Sequence, residues 1–497
     1  MRSTDPLGRK VETGRLPRRM PRWKRLQRAL LLTLLSASLG YFGCIFLAGA
    51  WMKHDLANLE DSIRVKGEPV TLEELDSFYP KVPDAENAAL AYKRAGETLA
   101  YFHPEQEYDL EGSRLESDLK SADYTYETLT HLKDYIGERR PVFEILDEAL
   151  QFEKARYPVD LSKLPRESAV ATRTLRGVYR LLWLQGINAI HGSDWETLAH
   201  TVQNLTHLRR TLEQAPDTGF QMHCQVAFAT TCDLVSRVIR TQRAPASLHR
   251  TLEALLQGLD WRTSMRMDII ANRVYCAARM NAFYRNDPTA FGEDDLKLFE
   301  KYQPYRSIPG FQTWGLIEKR SGVRFYTEVL DNVDKSWPVI FAGMIERNSF
   351  PDPFRFLEPI AERFDPVDLG PYEPNDYSIF CIDGEAIIRL TRIAIRIDAH
   401  RAEHGAYPNS INELQWEIPS EIATGPYFDN SFGYRKTENG FALFDDSIYP
   451  ENYGGLYARK CEIKFARETP PLPMKAADPK PPSGIAPSQL PQFRRSS

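Results

Sequence analysis

The chain has 497 residues, 42% hydrophobic and 26% charged, with 28 Gly, 34 Pro and 6 Cys, which excludes a collagen, a disulfide-dense miniprotein and a wholly disordered chain. A mean hydropathy of −0.44 excludes a polytopic membrane protein, and the length suits two or three domains. The net charge of −5 is unevenly spread: residues 1–28 hold ten Lys/Arg against Asp5 and Glu12, a net of +8, which leaves −13 on the remainder.

Residues 1–28 read as a basic tail, and residues 29–51 (ALLLTLLSASLGYFGCIFLAGAW) as a transmembrane helix. As a helix those residues span about 34 Å, enough for a hydrocarbon core of roughly 30 Å. The positive-inside rule keeps the tail cytoplasmic and sends the bulk across, with Trp23 and Trp51 suited to the two interfaces. Ala48-Gly49-Ala50 has the form of a signal-peptidase site, but the apolar run before it exceeds the usual signal length, so an uncleaved anchor is expected. Cys44 lacks the residues expected before a lipoprotein cysteine, and a buried apolar Cys is the simpler reading. Position against the bilayer explains the basic tail better than a nucleic-acid arm, and the net −13 of the remainder argues against nucleic acid as a partner. A bacterial inner-membrane location, single-pass with the C-terminal bulk extracytoplasmic, follows as the expectation.

Residues 52–68 read as a stalk that continues the helix. Thr71-Leu72-Glu73-Glu74 has the form of a capping box, and Asp84 can cap a second helix whose Ala88, Ala91, Tyr92 and Ala95 share a face. Residues 69–285 form the expected α-helical domain. Val170, Leu175, Val178, Leu182 and Ile187 make one stripe, and Trp195, Leu198, Val202, Leu205, Leu208 and Leu212 make another, with Ser193 opening a capping box between them. Helices follow at 218–241, 247–255 and 262–281. An irregular array is expected, TPR-like or HEAT-like or else a bundle, since no repeat consensus or regular period is present.

Residues 286–378 are an aromatic, Pro-rich irregular region. Trp337 to Ile345 is apolar but too short to cross a membrane and reads as core, and 349–376 as an extended connection. Residues 468–497 hold eight prolines and read as a disordered tail with polyproline bias.

Residues 379–467 read as a small α+β module. A helix over 386–404, with Ile387, Leu390, Ile393, Ala394 and Ile397 aligned and Arg389, Arg392, Arg396 and Arg401 facing elsewhere, stops at Gly405. One turn opened by Ser410 follows, then strands at 431–436 and 441–444 joined across an Asn439-Gly440 hairpin, and a third strand through Cys461, Ile463 and Phe465. The fold class is therefore mostly α, with one N-terminal transmembrane helix, a helical array and a three-stranded antiparallel sheet.

The order helix, His404-Gly-Ala-Tyr-Pro408, Ile411-Asn-Glu-Leu414, Phe432-Gly-Tyr434 and Gly440-Phe441-Ala-Leu443 resembles the globular part of type II secretion pseudopilins, over residues 385–466. The resemblance implies a small antiparallel sheet. Here the membrane helix lies more than 300 residues upstream and no prepilin-peptidase start precedes it, so the module looks borrowed into a large membrane-anchored bacterial protein of a class without established activity. Some pseudopilins hold calcium in an acidic loop. Asp445, Asp446 and Glu451 lie in the loop after the second strand, where a solvated turn is the simpler reading.

The P-loop, dinucleotide, zincin, nucleophile-elbow and C-x-x-C motifs are all missing from the sequence. Cys224, Cys232 and Cys276 sit among apolar helical positions beside His223 and read as core, not as a metal or thiol site. The odd count and irregular spacing of the cysteines beyond the membrane do not make a disulfide framework, although Cys381–Cys461 flank one module. His191, His200 and His207 read as helix surface. Glu73-Glu74 and Asp294-Asp295 are adjacent pairs that point apart. Tyr302, Tyr305, Phe311, Trp314, Phe325 and Tyr326 could line a glycan or peptide groove, with packing the ordinary explanation. No catalytic, cofactor or metal residues are assigned. The expected function is binding or scaffolding in the cell envelope with a protein partner. Association with a type II secretion or pilus-like assembly is the first alternative, and an envelope hydrolase with an unrecognised carboxylate site the second.

Overall fold

The computed structural model describes residues 22–102, 110–120, 124–161, 168–285, 287, 300, 311–340, 374–414, 418–427, 430–444 and 462–466. Helix α1 (Arg22–Val65) carries the apolar run and the stalk in one 44-residue element, about 66 Å long. Gly67, in the left-handed region at φ 78°, ends it. Leu30, Leu31, Leu34, Leu35, Leu39, Phe42, Phe46 and Leu47 are half or more exposed, and α1 is long and apolar enough to cross a membrane.

Beyond the stalk lie α2 (Leu72–Phe78), α3 (Ala88–Tyr101), α4 (Leu110–Lys120), α5 (Tyr126–Glu138) and α6 (Arg140–Ala149). Thr71 caps α2 by accepting from the Glu74 N–H at 3.2 Å, and the Glu74 carboxylate reaches back to the Val70 N–H at 2.8 Å. The cap of α3 is Asn87 and not Asp84, because residues 84–86 form a 3₁₀ turn first. Ala88, Ala91, Tyr92 and Ala95 face inward as their spacing predicts.

Helices α7 (Ser168–Gly192), α8 (Trp195–Glu213), α9 (Thr218–Thr241), α10 (Ala246–Gln257) and α11 (Trp261–Arg285) make the body of the helical part. The α8 cap is Asp194, whose carboxylate accepts from the Thr197 N–H. Ser193 instead takes the left-handed conformation that turns the chain between α7 and α8. Helices α7 and α8 pack together, and Leu175, Val178 and Leu182 of the first stripe and Leu198, Val202 and Leu205 of the second are all buried. Each such leucine contributes roughly 2 kcal/mol of hydrophobic stabilisation.

Helix α12 (Phe311–Leu330) lies between α1 and α11. Trp337 and Ile340 are buried, as the apolar segment predicts, while 341–345 and most of the expected connection at 349–376 lie outside the described residues. The last three residues of that connection are helical, because α13 (Pro374–His404) begins twelve residues before the expected start. Proline is well tolerated in the first helical turn, where its missing N–H is not needed. Helix α13 packs against α9, α10 and α11, so the helical part closes as a bundle around a late segment; in a solenoid each unit would touch only its neighbours.

After Gly405, at φ 77°, come a 3₁₀ turn (Ile411–Glu413) and α14 (Ser420–Ala423). Ser410 makes no side-chain cap; Glu413 accepts from the Asn409 N–H instead. Strands β1 (Gly433–Thr437), β2 (Gly440–Phe444) and β3 (Glu462–Ala466) form an antiparallel sheet in sequence order. Thr437 pairs with Gly440, so Glu438 and Asn439 are the turn, and Gly440 is already in the strand. Its glycine answers to crowding: a Cβ there would lie 1.8 Å from the Phe465 carbonyl oxygen of β3. Phe441, Leu443 and Phe465 join the same continuous core as α7–α11 and α13. Gln242, capping the end of α9, donates to the Asn439 carbonyl and pins the hairpin to the bundle.

Candidate functional site

A binding or catalytic site needs buried polar groups, and a core does not. The largest set joins α10 to α13. His249 and Glu253, one turn apart on α10, face Arg392, Arg396 and Asp398 on α13. The His249 Nε2 lies 2.8 Å from Asp398 Oδ2 and its Nδ1 lies 2.9 Å from the Pro245 carbonyl. Arg401 donates to the other Asp398 oxygen at 2.6 Å, and Glu253 Oε1 accepts from Arg392 at 3.0 Å and Arg396 at 2.9 Å. The arginines do face away from the apolar stripe of α13, but that second face is covered as well. Buried charge thus ties α10 to α13 through Glu253 with Arg392 and Arg396 and through His249 with Asp398, and removing one member would leave its partner uncompensated in the interior.

A second set lies where α8, α9 and α11 meet. Arg209 bonds Glu213 at 2.8 Å, donates to the Asp260 carbonyl at 3.1 Å and stacks 4.6 Å from the Trp261 ring. Asp217 caps α9 through the Gly219 and Phe220 N–H groups. Burial raises its carboxyl above the ordinary range against those bonds. Gln221 spans to the Ala215 carbonyl, and Ser264 donates to Gln221. These groups satisfy helix ends and one another inside the core.

The three histidines of the first helix pair do not converge. His191 bonds the Tyr124 hydroxyl at 2.9 Å, His200 lies 3.5 Å from Asp147, and the half-buried His207 lies between the Tyr92 hydroxyl at 2.6 Å and the Phe152 carbonyl at 2.9 Å. The tyrosine donates to Nδ1 and Nε2 donates to the carbonyl, which is the neutral ring; burial lowers the His207 pKa accordingly. No group of three or more His, Cys, Asp or Glu side chains suited to a metal occurs among the described residues. Cys224 and Cys381 are buried, Cys232 and Cys276 half-buried, and all four are free thiols; Cys461 lies outside the described residues. Burial pushes the Cys232 thiol up to about 12 and that of Cys224 higher still, which removes both as nucleophiles.

Tyr179 and His223 come closest to reactive geometry, with rings 5.6 Å apart. The Tyr179 hydroxyl and His223 Nδ1 are buried without a hydrogen-bond partner among the described residues. Burial, with the nearby Arg176 charge, pushes His223 down to about 4. A neutral imidazole beside a neutral phenol can hold a water or a small polar group, and among the described residues no carboxylate is bonded to either of them. Of the other sequence candidates, Glu74 is paired with Arg64 at 2.9 Å, and Tyr326 is buried with its ring 5.5 Å from that of Phe325. Asp294, Asp295, Tyr302, Tyr305, Asp445, Asp446 and Glu451 lie outside the described residues.

A further ionic set clamps the stalk to the body. Asp55 pairs with Arg320, Glu60 with Lys319 at 2.8 Å, Lys66 with Asp331 at 2.5 Å, and the half-buried Glu68 with the buried Arg273 at 2.8 Å. Apolar contacts run alongside, with Ile63, Val70, Ala277 and Val323 in one cluster. Sequence reasoning missed this set because its partners are more than 200 positions apart. The alternation of charge along 53–68 and 318–335 was its only trace. Against protein-family models, curated proteins and solved structures, the chain finds no match.

Proposed function

We propose that this chain is a single-pass envelope protein, with its N-terminus in the bacterial cytoplasm and its body outside the inner membrane, serving as a binding or scaffolding module. The observation that carries this reading is the mount: α1 leaves the apolar run without a hinge, ion pairs along its outer half hold it to α12, and Glu68, just past its end, pairs with Arg273 of α11. A body fixed to its anchor suits a protein that presents a surface at a set orientation. The basic tail against an uncharged 23-residue run supports the orientation. A periplasm-specific reporter fused after Ser497 tests the topology, with activity expected only outside the cytoplasm; a cytoplasmic signal overturns the placement. In-cell crosslinking followed by partner identification tests the scaffolding role, and recovery of no protein partner counts against it.

A second reading, association with a type II secretion or pilus-like assembly, is supported by the order of α13, the His404-Gly-Ala-Tyr-Pro408 turn and the antiparallel sheet. Because α13 is enclosed by α9, α10 and α11, the surface such an assembly would use is strand β1, whose Arg435, Lys436 and Thr437 are exposed. A photocrosslinker at Arg435 that captures a pilus-type subunit supports this reading, and its failure to do so removes it.

A further inference from the structure

Helices α1 and α12 run side by side in the same direction. Thr313 sits against Gly49, where a Cβ would come within 2.9 Å of the Thr313 hydroxyl oxygen, and that hydroxyl faces the Ile45 carbonyl at 3.4 Å. Further up, Arg320 pairs with Asp55 and lies 5.6 Å from the Trp51 ring. Higher still, Val323 meets Ile63, and Asp331 meets Lys66. The first turn of α12 is thus level with Ile45, six positions before Trp51 and about 9 Å toward the middle of the apolar run.

The α1 side of this contact is one stripe: Ile45, Ala48, Gly49, Met52, Leu56, Leu59 and Ile63 are buried or half-buried, at helical spacing. It passes from the apolar run into the stalk without a break, so the body does not stop where the apolar run stops.

The charges mark a common plane. On α1 no charged residue occurs from Ala29 to Met52, and Lys53 and Asp55 then begin the stalk. Helix α12 opens with seven uncharged residues, FQTWGLI (311–317), and then turns to Glu318, Lys319 and Arg320. The Asp55–Arg320 pair sets the two onsets at the same height. Helix α11 arrives from above and ends there too, with Tyr284 against Gly315 and Arg285 as its last residue. Segments some 265 positions apart changing from apolar to charged at one level is what a layer of lipid headgroups selects; a second protein surface would not require a shared plane.

We propose that the first two turns of α12, residues 311–317, are inserted into the outer leaflet beside α1, giving the protein a second, non-spanning membrane contact. The proposal rests on the reading of α1 as membrane-spanning. A depth of about 9 Å is that of interfacial helices, which sink roughly 5–10 Å into the headgroup–acyl boundary. At that depth headgroups and water still reach the N–H groups of the first turn, which have no partner within the helix, whereas the hydrocarbon centre would offer them none.

The test uses the full chain in lipid nanodiscs of phosphatidylethanolamine and phosphatidylglycerol. An environment-sensitive fluorescent amino acid is placed at Leu316, which is half-buried, at Leu39 within the apolar run, and at Arg324, exposed two turns above. Lipids carrying a nitroxide on the acyl chain should quench Leu316 to roughly half its intensity, comparably with Leu39, and leave Arg324 unchanged. Quenching at Leu39 without quenching at Leu316 overturns the proposal and leaves the anchor standing. No quenching at Leu39 overturns the anchor and the proposal together. A photoreactive amino acid at Leu316 gives a second readout on chain whose helix content is unchanged: adducts with lipid support the insertion, and adducts with a second copy of the chain overturn it.

Discussion

His249 and Asp398 meet at 2.8 Å with neither side chain exposed, although 149 positions separate them in the chain. The contact ties a helix of the bundle to the helix that leads into the sheet, and its neighbours Glu253, Arg392, Arg396 and Arg401 leave few polar atoms in the seam to solvent. Removing one partner of such a pair strands the other. Asp398→Ala should cost about 3–5 kcal/mol. Thermal unfolding of the detergent-solubilised chain checks this, and a change below about 1 kcal/mol would show that the seam opens to water. Asp398→Asn, which keeps one acceptor, should cost less than Asp398→Ala.

His223 links stability to pH. Its pKa is lowered from the ordinary 6.5 to about 4 by burial and by Arg176. Between pH 6.5 and 4 the unfolded chain takes up a proton that the folded chain does not. The group therefore favours folding at neutral pH, and that advantage is lost as pH falls through this window. The loss should amount to about 1–3 kcal/mol. His223→Gln should flatten this part of the acid limb, measured as the difference in Tm between pH 7 and pH 4.5 for the two proteins.

Two glycines should respond differently to alanine. Gly405→Ala places a side chain at φ 77° with nothing within 4 Å, a purely conformational cost of about 1–2 kcal/mol. Gly440→Ala drives a Cβ into the Phe465 carbonyl, so β3 must leave β2. Hydrogen exchange at 440–444 and 462–466 should rise sharply in Gly440→Ala and stay close to wild type in Gly405→Ala.

The thiols of Cys224 and Cys232 should resist alkylation in the folded chain at pH 8, since burial holds both far above that pH. Mass spectrometry after iodoacetamide treatment, with and without denaturant, reads this directly. Modification of Cys224 without denaturant would show that the α8–α9 contact breathes.

Local pattern carried the helices. Leu198, Val202, Leu205, Leu208 and Leu212 repeat at three and four and are all buried, because an amphipathic period needs no knowledge of the partner. Caps were less legible: Ser193 and Asp194 are both competent, and which one caps depends on which takes the left-handed turn. The start of α13 was hidden because PNDYSIFCIDGE reads as polar and Pro-marked, while its Cys381 and Ile382 are buried against the bundle. The ionic sets were not legible, since Arg392 at a helical surface position and Arg392 facing Glu253 look alike until α10 is beside them. The hairpin at Asn439-Gly440 was legible and is present, but the crowding from the Phe465 carbonyl of β3 that also requires glycine there was not, because β3 lies more than twenty positions on.

The position of α13 among α9, α10 and α11 also bears on how the chain comes to be folded. Ribosomes release it N-terminus first, so the slot for α13 is complete long before residues 374–404 exist outside the tunnel. At synthesis rates of about 5–20 residues per second, the interval between α11 and α13 lasts on the order of 5–20 seconds. During that time His249 and Glu253 border an open, partly apolar trough. The nascent bundle is then a client for whatever chaperone attends it, and its C-terminal third is the piece that ends that dependence.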